Sequence, residues 1–401
     1  MLFLREDKPY NLREGTDERG LPMILKILKN MDFSILFAVL ALSAFGTVMV
    51  YSASMVSSVM VYDVTPDFFF KRQVVSWIIG LFALFLGIVL PYRNYRKLFK
   101  LLLLLTIVLL LLVFAIGHTS NNAQSWLPIP FLGRFQPAEL AKMTLIIYLA
   151  AIYTKKKDYI EDFARGLLPP IIMTMLIIGM IFKQPDLGTA VIALAVSGLV
   201  IMSSGLKRSH LIFLLTLASV TAVCLYMFGL SEEQMSRFEG AYQPFQNADD
   251  SGYQLINSYL AIHNGGLIGT GLGAGVQKLG YLPEAHTDFI MAVVAEELGI
   301  IGVTVVLGLI ALIVLRGLFI SMKSHDMFGR LLAIGISGLI GIQTAVNLGG
   351  LTGMIPLTGV PLPFVSYGGT SLLMMMFSVG ILINIHAVSK VKKNQEDKIA
   401  A

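Results

Sequence analysis

The 401-residue chain reads as an all-α polytopic membrane protein. It should have ten transmembrane helices, both termini cytoplasmic, and a long extracytoplasmic loop between the seventh and eighth helices. Three observations predict this class. Charged residues make up 14% and hydrophobic residues 56%, against about 25% charge in soluble domains. Ten apolar stretches approach the ~20 residues that a membrane helix requires. Ten crossings also sort the cations, with 23 of the 30 Lys and Arg on the side of the termini. That side is cytoplasmic by the positive-inside rule.

The spans are expected at about 32–53, 73–91, 99–117, 137–153, 167–183, 188–205, 210–230, 289–315, 331–349 and 369–388. Residues 1–31 form a charged cytoplasmic leader, and 389–401 a basic cytoplasmic tail. The leader lacks the short apolar core and small-residue site of a cleaved signal peptide. The single cysteine, Cys224, excludes an intrachain disulfide. The net charge of +5 is not a nucleic-acid footprint, because the charges follow membrane sidedness.

The outer loops fall at 54–72, 118–136, 184–187, 231–288 and 350–368. The fourth is far longer than an ordinary connection, and loops of that kind are functional or disordered. Within it, Leu255–Ile262 has helical apolar spacing and suggests a short amphipathic helix on the membrane surface. Glycines 265, 266, 269, 271, 273 and 275 follow as a turn region. They are not a dinucleotide fingerprint, since no strand precedes them.

The unusual polar residues cluster on the outer side. Gln136-Pro-Ala-Glu139 opens the fourth span with Pro137 in its first turn. Glu139 and Lys142 then share one helix face inside the membrane. Intramembrane charges are costly and usually paired, so this is either a structural ion pair or the wall of a polar cavity. Trp126 is either an interfacial anchor or a site residue. Lys183-Gln184-Pro185-Asp186 makes a compact turn. Asp186 there could cap the sixth span, while Lys183 and Gln184 could face a polyanionic head group. Gly349–Gly369 is uncharged and rich in glycine and proline, with the hydroxyls of Ser366 and Tyr367 near its end. Such backbone is tolerated at membrane depth where it is packed in protein or lines a cavity.

Tyr281–Gly299 concentrates five ionisable groups: Glu284, His286, Asp288, Glu296 and Glu297. Asp288 lies at the start of the eighth span, where the helix dipole favours an anion. Glu296 and Glu297 lie about 12 Å deeper at 1.5 Å per residue. They require partners, a His or Arg elsewhere among the candidates. No His pair at i, i+4 supports a metalloprotease, and no Gly-x-Ser-x-Gly elbow supports serine hydrolysis. A carboxylate at an outward-facing cationic cavity suits deprotonation of a hydroxyl that attacks a glycosyl carbon. Arg72, Arg134, Lys142, Lys183 and Lys278 are the outer cations available for a pyrophosphate leaving group. A divalent cation, Mg2+ or Mn2+, could assist.

These motifs resemble the SEDS family of shape, elongation, division and sporulation proteins. The markers are Val50-Tyr-Ser-Ala53, Gln124-Ser-Trp126, Gln136–Glu139 with Lys142, Gln184–Thr189, Leu282–Phe289 with Ala295–Gly299, and Gly359–Gly369. Val276–Glu284 and Asn257–Tyr259 look more like the family's division branch than its elongation branch; a sporulation paralogue stays open.

The resemblance implies a peptidoglycan glycosyltransferase that polymerises lipid II. Its expected partners are a class B penicillin-binding transpeptidase and other division proteins, in the cytoplasmic membrane at the septum. It assigns the essential aspartate to Asp288, the Glu–Lys pair to Glu139 and Lys142, and the loop tryptophan to Trp126. Candidate substrate-binding residues are Arg72, Trp126, Gln136, Glu139, Lys142, Lys183, Gln184, Asp186, Lys278, His286, Ser366 and Tyr367. A lipid II transporter and a non-catalytic scaffold are the competing readings.

Overall fold

A computed structural model describes residues 23–120, 123–129, 133–160, 162–207 and 232–400, together with 209, 210, 212–214, 216 and 219. Most of the leader and most of the predicted seventh span lie outside the described residues.

The helices are α1 (Met23–Lys29), α2 (Phe33–Met60), α3 (Phe68–Val89), α4 (Tyr95–Ile116), α5 (Pro137–Lys155), α6 (Leu168–Phe182), α7 (Leu187–Met202), α8 (Glu232–Tyr242), α9 (Tyr253–Gly265), α10 (Ile290–Lys323), α11 (Met327–Leu351) and α12 (Gly369–Ala400). Among the described residues, seven helical spans are long and apolar enough to cross a membrane: α2, α3, α4, α6 together with the helical turn Phe163–Leu167 before it, α10, α11 and α12. α5 and the 16-residue α7 occupy the predicted fourth and sixth spans but fall outside that set. α12 continues through most of the expected tail.

The all-α expectation needs one correction. The second outer loop folds into a small antiparallel sheet, β1 (His118–Ser120), β2 (Ala123–Ile129) and β3 (Gly133–Phe135), with Leu127 opposite Phe135. Strand pairing satisfies backbone groups that a structureless loop would leave open.

Local chemistry sets several helix starts. The Asp32 carboxylate accepts from the amides of Ser34 (3.0 Å) and Ile35 (3.4 Å) and caps α2. Asp186 accepts from the Thr189 amide at 3.1 Å and caps α7, as its position in the turn predicts. Pro137 opens α5. α3 and α12 approach through Gly87 and Gly380; a Cβ on Gly87 would lie 2.6 Å from the Phe377 carbonyl oxygen. α11 packs against α5, α7 and α10 in the main apolar core.

α10 is broken at Gly299, whose φ of 63° and ψ of −164° leave the helix. A side chain at this position would strain that backbone. The glycine-rich loop fills the break. Amides of Thr270 and Gly271 donate to the carbonyls of Glu296 (2.9 Å) and Glu297 (3.0 Å), and the Ile300 amide donates to Gly266 O at 3.0 Å. α9 consequently packs along the first half of α10, with Gly265 against the Ala295 carbonyl, rather than lying free on a surface.

The two glutamates of α10 are both engaged. Glu296 accepts from the backbone amides of Val276 (2.9 Å) and Gln277 (3.2 Å). Glu297 accepts from Lys278 Nζ at 2.6 Å, Ser52 Oγ at 2.8 Å and Gly273 N at 2.9 Å. Their partners are thus a lysine, a serine and backbone, not a His or Arg. Lys278 is 2% exposed and also donates to Ser52 Oγ at 2.8 Å. It is therefore an interior strut, not the free outer cation the sequence suggested.

A second ion pair joins α2 to α10 at the other end, where Arg316 Nη2 donates to Asp32 at 2.6 Å. Some 20 residues separate Asp32 from Ser52, and 19 separate Glu297 from Arg316. At 1.5 Å per residue both intervals come to about 30 Å, the thickness of a bilayer's hydrocarbon core.

Replacing Lys278 by Met should strand the Glu297 charge and cost about 3–5 kcal/mol. Thermal melting in detergent should show the loss. Adding Glu297→Gln to Lys278→Met should restore most of it.

Candidate active site

Asp288 lies in the loop just before α10, and two side-chain amides one turn apart on α11 organise its surroundings. Asn347 Nδ2 donates to the carbonyl oxygens of Asp288 (2.8 Å) and Val360 (2.9 Å). Gln343 Nε2 donates to Pro361 O at 2.9 Å, while its Oε1 accepts from Lys142 Nζ at 2.8 Å. The pair thus clamps the 352–368 loop at consecutive carbonyls. It ties that loop to Asp288 on one side and to Lys142 on the other.

The Asp288 carboxyl does not cap α10; the capping position is Phe289, without a side-chain bond. It accepts instead from Thr287 Oγ1 at 3.0 Å, and the same hydroxyl lies 2.7 Å from Glu284 Oε2. Burial, then the nearby Glu284 charge, pushes the Asp288 carboxyl up to about 7. Both effects penalise its ionised form. Asp288, Phe289, Asn347, Leu357, Thr358 and Val360 line a narrow crevice.

An aromatic wall stands beside it. His286 is buried, with its ring 4.5 Å from that of Phe69 and 5.6 Å from that of Tyr367. Burial holds the imidazole below its ordinary value. Its carbonyl accepts from the Tyr367 amide at 2.9 Å. Burial raises the Tyr367 hydroxyl, while Arg72 and Arg134 oppose the shift. Arg72 also stacks on Phe68 at 4.2 Å. Arg72 and Arg134 are exposed, so this rim offers two accessible guanidinium groups.

Glu139 and Lys142 pair at 2.8 Å and are essentially buried. Glu139 Oε2 has no hydrogen-bond partner among the described residues. One turn earlier, Gln136 Nε2 donates to Asp186 Oδ2 at 2.7 Å, joining α5 to the turn before α7. Other predicted residues are structural in place. The Ser366 hydroxyl accepts from the Leu362 amide at 2.8 Å. Gln184 Nε2 donates to Leu110 O at 3.1 Å, which turns it toward α4 rather than toward a head group. Lys183 is exposed, and Trp126 is half-buried on β2 opposite His118. Among the described residues no group of three or more His, Cys, Asp or Glu is placed to hold a metal ion.

The sequence pattern of the cell cycle protein family that unites FtsW, RodA and SpoVE matches residues 33–391. The chain belongs to that family. It is similar to a Bacillus subtilis (strain 168) protein named "Probable peptidoglycan glycosyltransferase FtsW", at 45% identity over 94% of this chain and 95% of that one. The stage V sporulation protein E of the same organism is 36% identical over 90% of this chain and 98% of its own length. A solved structure titled "Structural coordination of polymerization and crosslinking by a peptidoglycan synthase complex" has a chain that aligns with a TM-score of 0.72. It is 28% identical and covers 89% of this chain and 97% of its own.

Gln343 and Asn347 were missed in the sequence. Their one signal was polarity, two amides spaced i, i+4 in an otherwise apolar helix.

A raised carboxyl is favoured in its neutral form by folding. Stability therefore falls as pH rises from near the ordinary carboxylate value through about 7. Asp288→Asn, which cannot ionise, should escape that loss. Its melting temperature should exceed the wild type's at pH 8, and the gap should narrow toward pH 5. Glu284→Gln should shrink the gap by lowering the Asp288 pKa.

Proposed function

We propose that this chain is a peptidoglycan glycosyltransferase that polymerises lipid II into glycan strands during cell division. The observation that carries the reading is Asp288, a carboxyl held near neutrality at a crevice on the outer edge of the apolar slab. A base whose pKa lies near the working pH combines a large ionised fraction with a strong pull on the proton. The names of the relatives support the reaction class.

In this reading Asp288 takes the proton of the acceptor sugar's 4-hydroxyl. That oxygen attacks C1 of the donor from the face opposite the lipid pyrophosphate. The C1–oxygen bond to the pyrophosphate breaks with its electron pair, and the configuration at C1 inverts. Arg72 and Arg134, exposed at the rim, receive the pyrophosphate. Lys142, oriented by Glu139 and Gln343, adds positive potential from within. His286 and Tyr367 shape the wall, and Trp126 on β2, Gln136 before α5, and Lys183 and Asp186 in the turn between α6 and α7 are the further substrate-binding candidates. Mg2+ is commonly held by one or two carboxylates plus substrate phosphates. Glu284 would be the carboxylate for such a divalent cation, Mg2+ or Mn2+, which would add positive charge at the phosphates and leave Asp288 to take the proton.

We place the chain in the cytoplasmic membrane at the septum, with ten spans and both ends cytoplasmic. α5 and α7 supply the fourth and sixth spans. A class B penicillin-binding transpeptidase is the proposed partner, with other division proteins. The solved complex that joins polymerisation to crosslinking supports this pairing.

In detergent, with its transpeptidase, the purified protein should build glycan chains from lipid II. Asp288→Asn should lower the rate by at least about a hundredfold without loss of fold. Normal chains from that variant would remove Asp288 as the base. Lipid II movement across vesicles without polymerisation in detergent would favour a transporter.

A further inference from the structure

We infer that Asn347 and Asp288 form a two-point subsite for the acceptor sugar, in which Asn347 receives the ring hydroxyl next to the one that Asp288 deprotonates. The inference rests on the glycosyltransferase reading above.

Asn347 is 4% exposed. Its Nδ2 donates to two carbonyl oxygens, those of Asp288 and Val360. Those two bonds fix the orientation of the amide, because a reversed side chain would set Oδ1 against both carbonyls. Oδ1 is therefore the remaining end, and it has no hydrogen-bond partner among the described residues. A buried acceptor without a donor is uncommon and calls for one from outside the fold.

Asn347 and Asp288 line the same crevice, whose room is about 10 Å3, enough for one water-sized oxygen. The group that enters must be a donor. A phosphate oxygen would meet the amide oxygen and the Asp288 carboxylate, both acceptors, and would be repelled. A sugar hydroxyl satisfies both. It donates to Oδ1 while the neighbouring hydroxyl on the same ring donates to Asp288. On this sugar the hydroxyl next to the 4-position is the one at C3. Asn347 also holds the backbone of Asp288, so one side chain sets the base and its substrate in common register.

The arrangement makes Asn347 a specificity residue for the acceptor, distinct from the pyrophosphate groups at Arg72 and Arg134. The test compares natural lipid II with an acceptor analogue lacking the C3 hydroxyl. It uses the full chain with its transpeptidase in detergent, and wild type, Asn347→Ala and Asp288→Asn. With wild type, the analogue should lose about tenfold in kcat/KM, the ordinary effect of one hydrogen bond to a substrate hydroxyl. Asn347→Ala should lose at least that factor on the natural acceptor, because Asp288 also loses its backbone tie, and suffer little further loss with the analogue.

A wild-type enzyme that uses the analogue as well as the natural acceptor overturns the inference, whatever the variants do. So does an analogue penalty undiminished in a folded Asn347→Ala. A fully active Asp288→Asn would instead overturn the underlying reading of the base. Asn347→Asp adds a readout that packing alone would not move. It keeps an oxygen at the site, gives up the amide's bonds to the Asp288 and Val360 carbonyls, and places a second negative charge beside Asp288, so the pH midpoint of the rate should rise, which loss of the clamp alone would not cause.

Discussion

An ionisable group inside the apolar slab of a membrane protein must find its partners within the protein, and the bond from Lys278 to Glu297 is where this fold meets that demand. Three donors converge on Glu297: a lysine from the returning loop, a serine from α2 and the Gly273 amide. The neighbouring Glu296 takes two more loop amides. The glycine-rich loop is thereby drawn into the break of α10 at Gly299, where its backbone replaces the hydrogen bonds that the helix gives up. Without that node α9 would lose its seat along α10, and the 281–289 segment would lose the frame that delivers Asp288. Asp288 depends on these glutamates structurally, although they lie too deep to share its chemistry.

The second support is orthogonal to the first. Where the glutamate node fixes the loop before α10, the amides of α11 fix the loop after it. Gln343 and Asn347 hold Pro361 and Val360 in a segment that is largely buried and has few backbone bonds of its own. An amide is well suited to this task because one group offers both donors and an acceptor. A carboxylate at 347 could not donate to the two carbonyls, and a lysine there would carry an unmatched charge. The two loops meet where the Tyr367 amide bonds His286 O, so Asp288, the aromatic wall and the arginine rim belong to one assembly.

Much of this was legible because membrane helices are written in long apolar runs, and α2, α3, α4, α10, α11 and α12 lie close to their predicted positions. Asp288 and the Glu139–Lys142 pair were legible for the opposite reason, since charge in such runs is rare. What escaped was pairing at a distance. Lys278 reads as one more outer cation until its contact with Glu297 is seen, and the role of Gly299 depends on a loop nearly 30 residues earlier. The three short strands after α4 are too brief for alternation to declare them. Gln184 looked like a ligand because its partner is a carbonyl of α4, and main-chain acceptors leave no mark in a sequence.

The electrostatics of Asp288 then follow from its position. A carboxylate on the open surface would be ionised but weakly basic, and one deep in the slab would stay protonated. At the slab's edge burial raises its affinity for the proton, and Glu284 adds to the rise through its own charge. Thr287 opposes them by donating to the ionised form. The balance near neutrality belongs to that boundary. In the proposed reaction, the same location brings a substrate with a lipid tail and a sugar head to rest with its reacting carbon beside the carboxyl. On that proposal, the requirement that anchors the lipid in the bilayer also sets the basicity of the group that would act on its head.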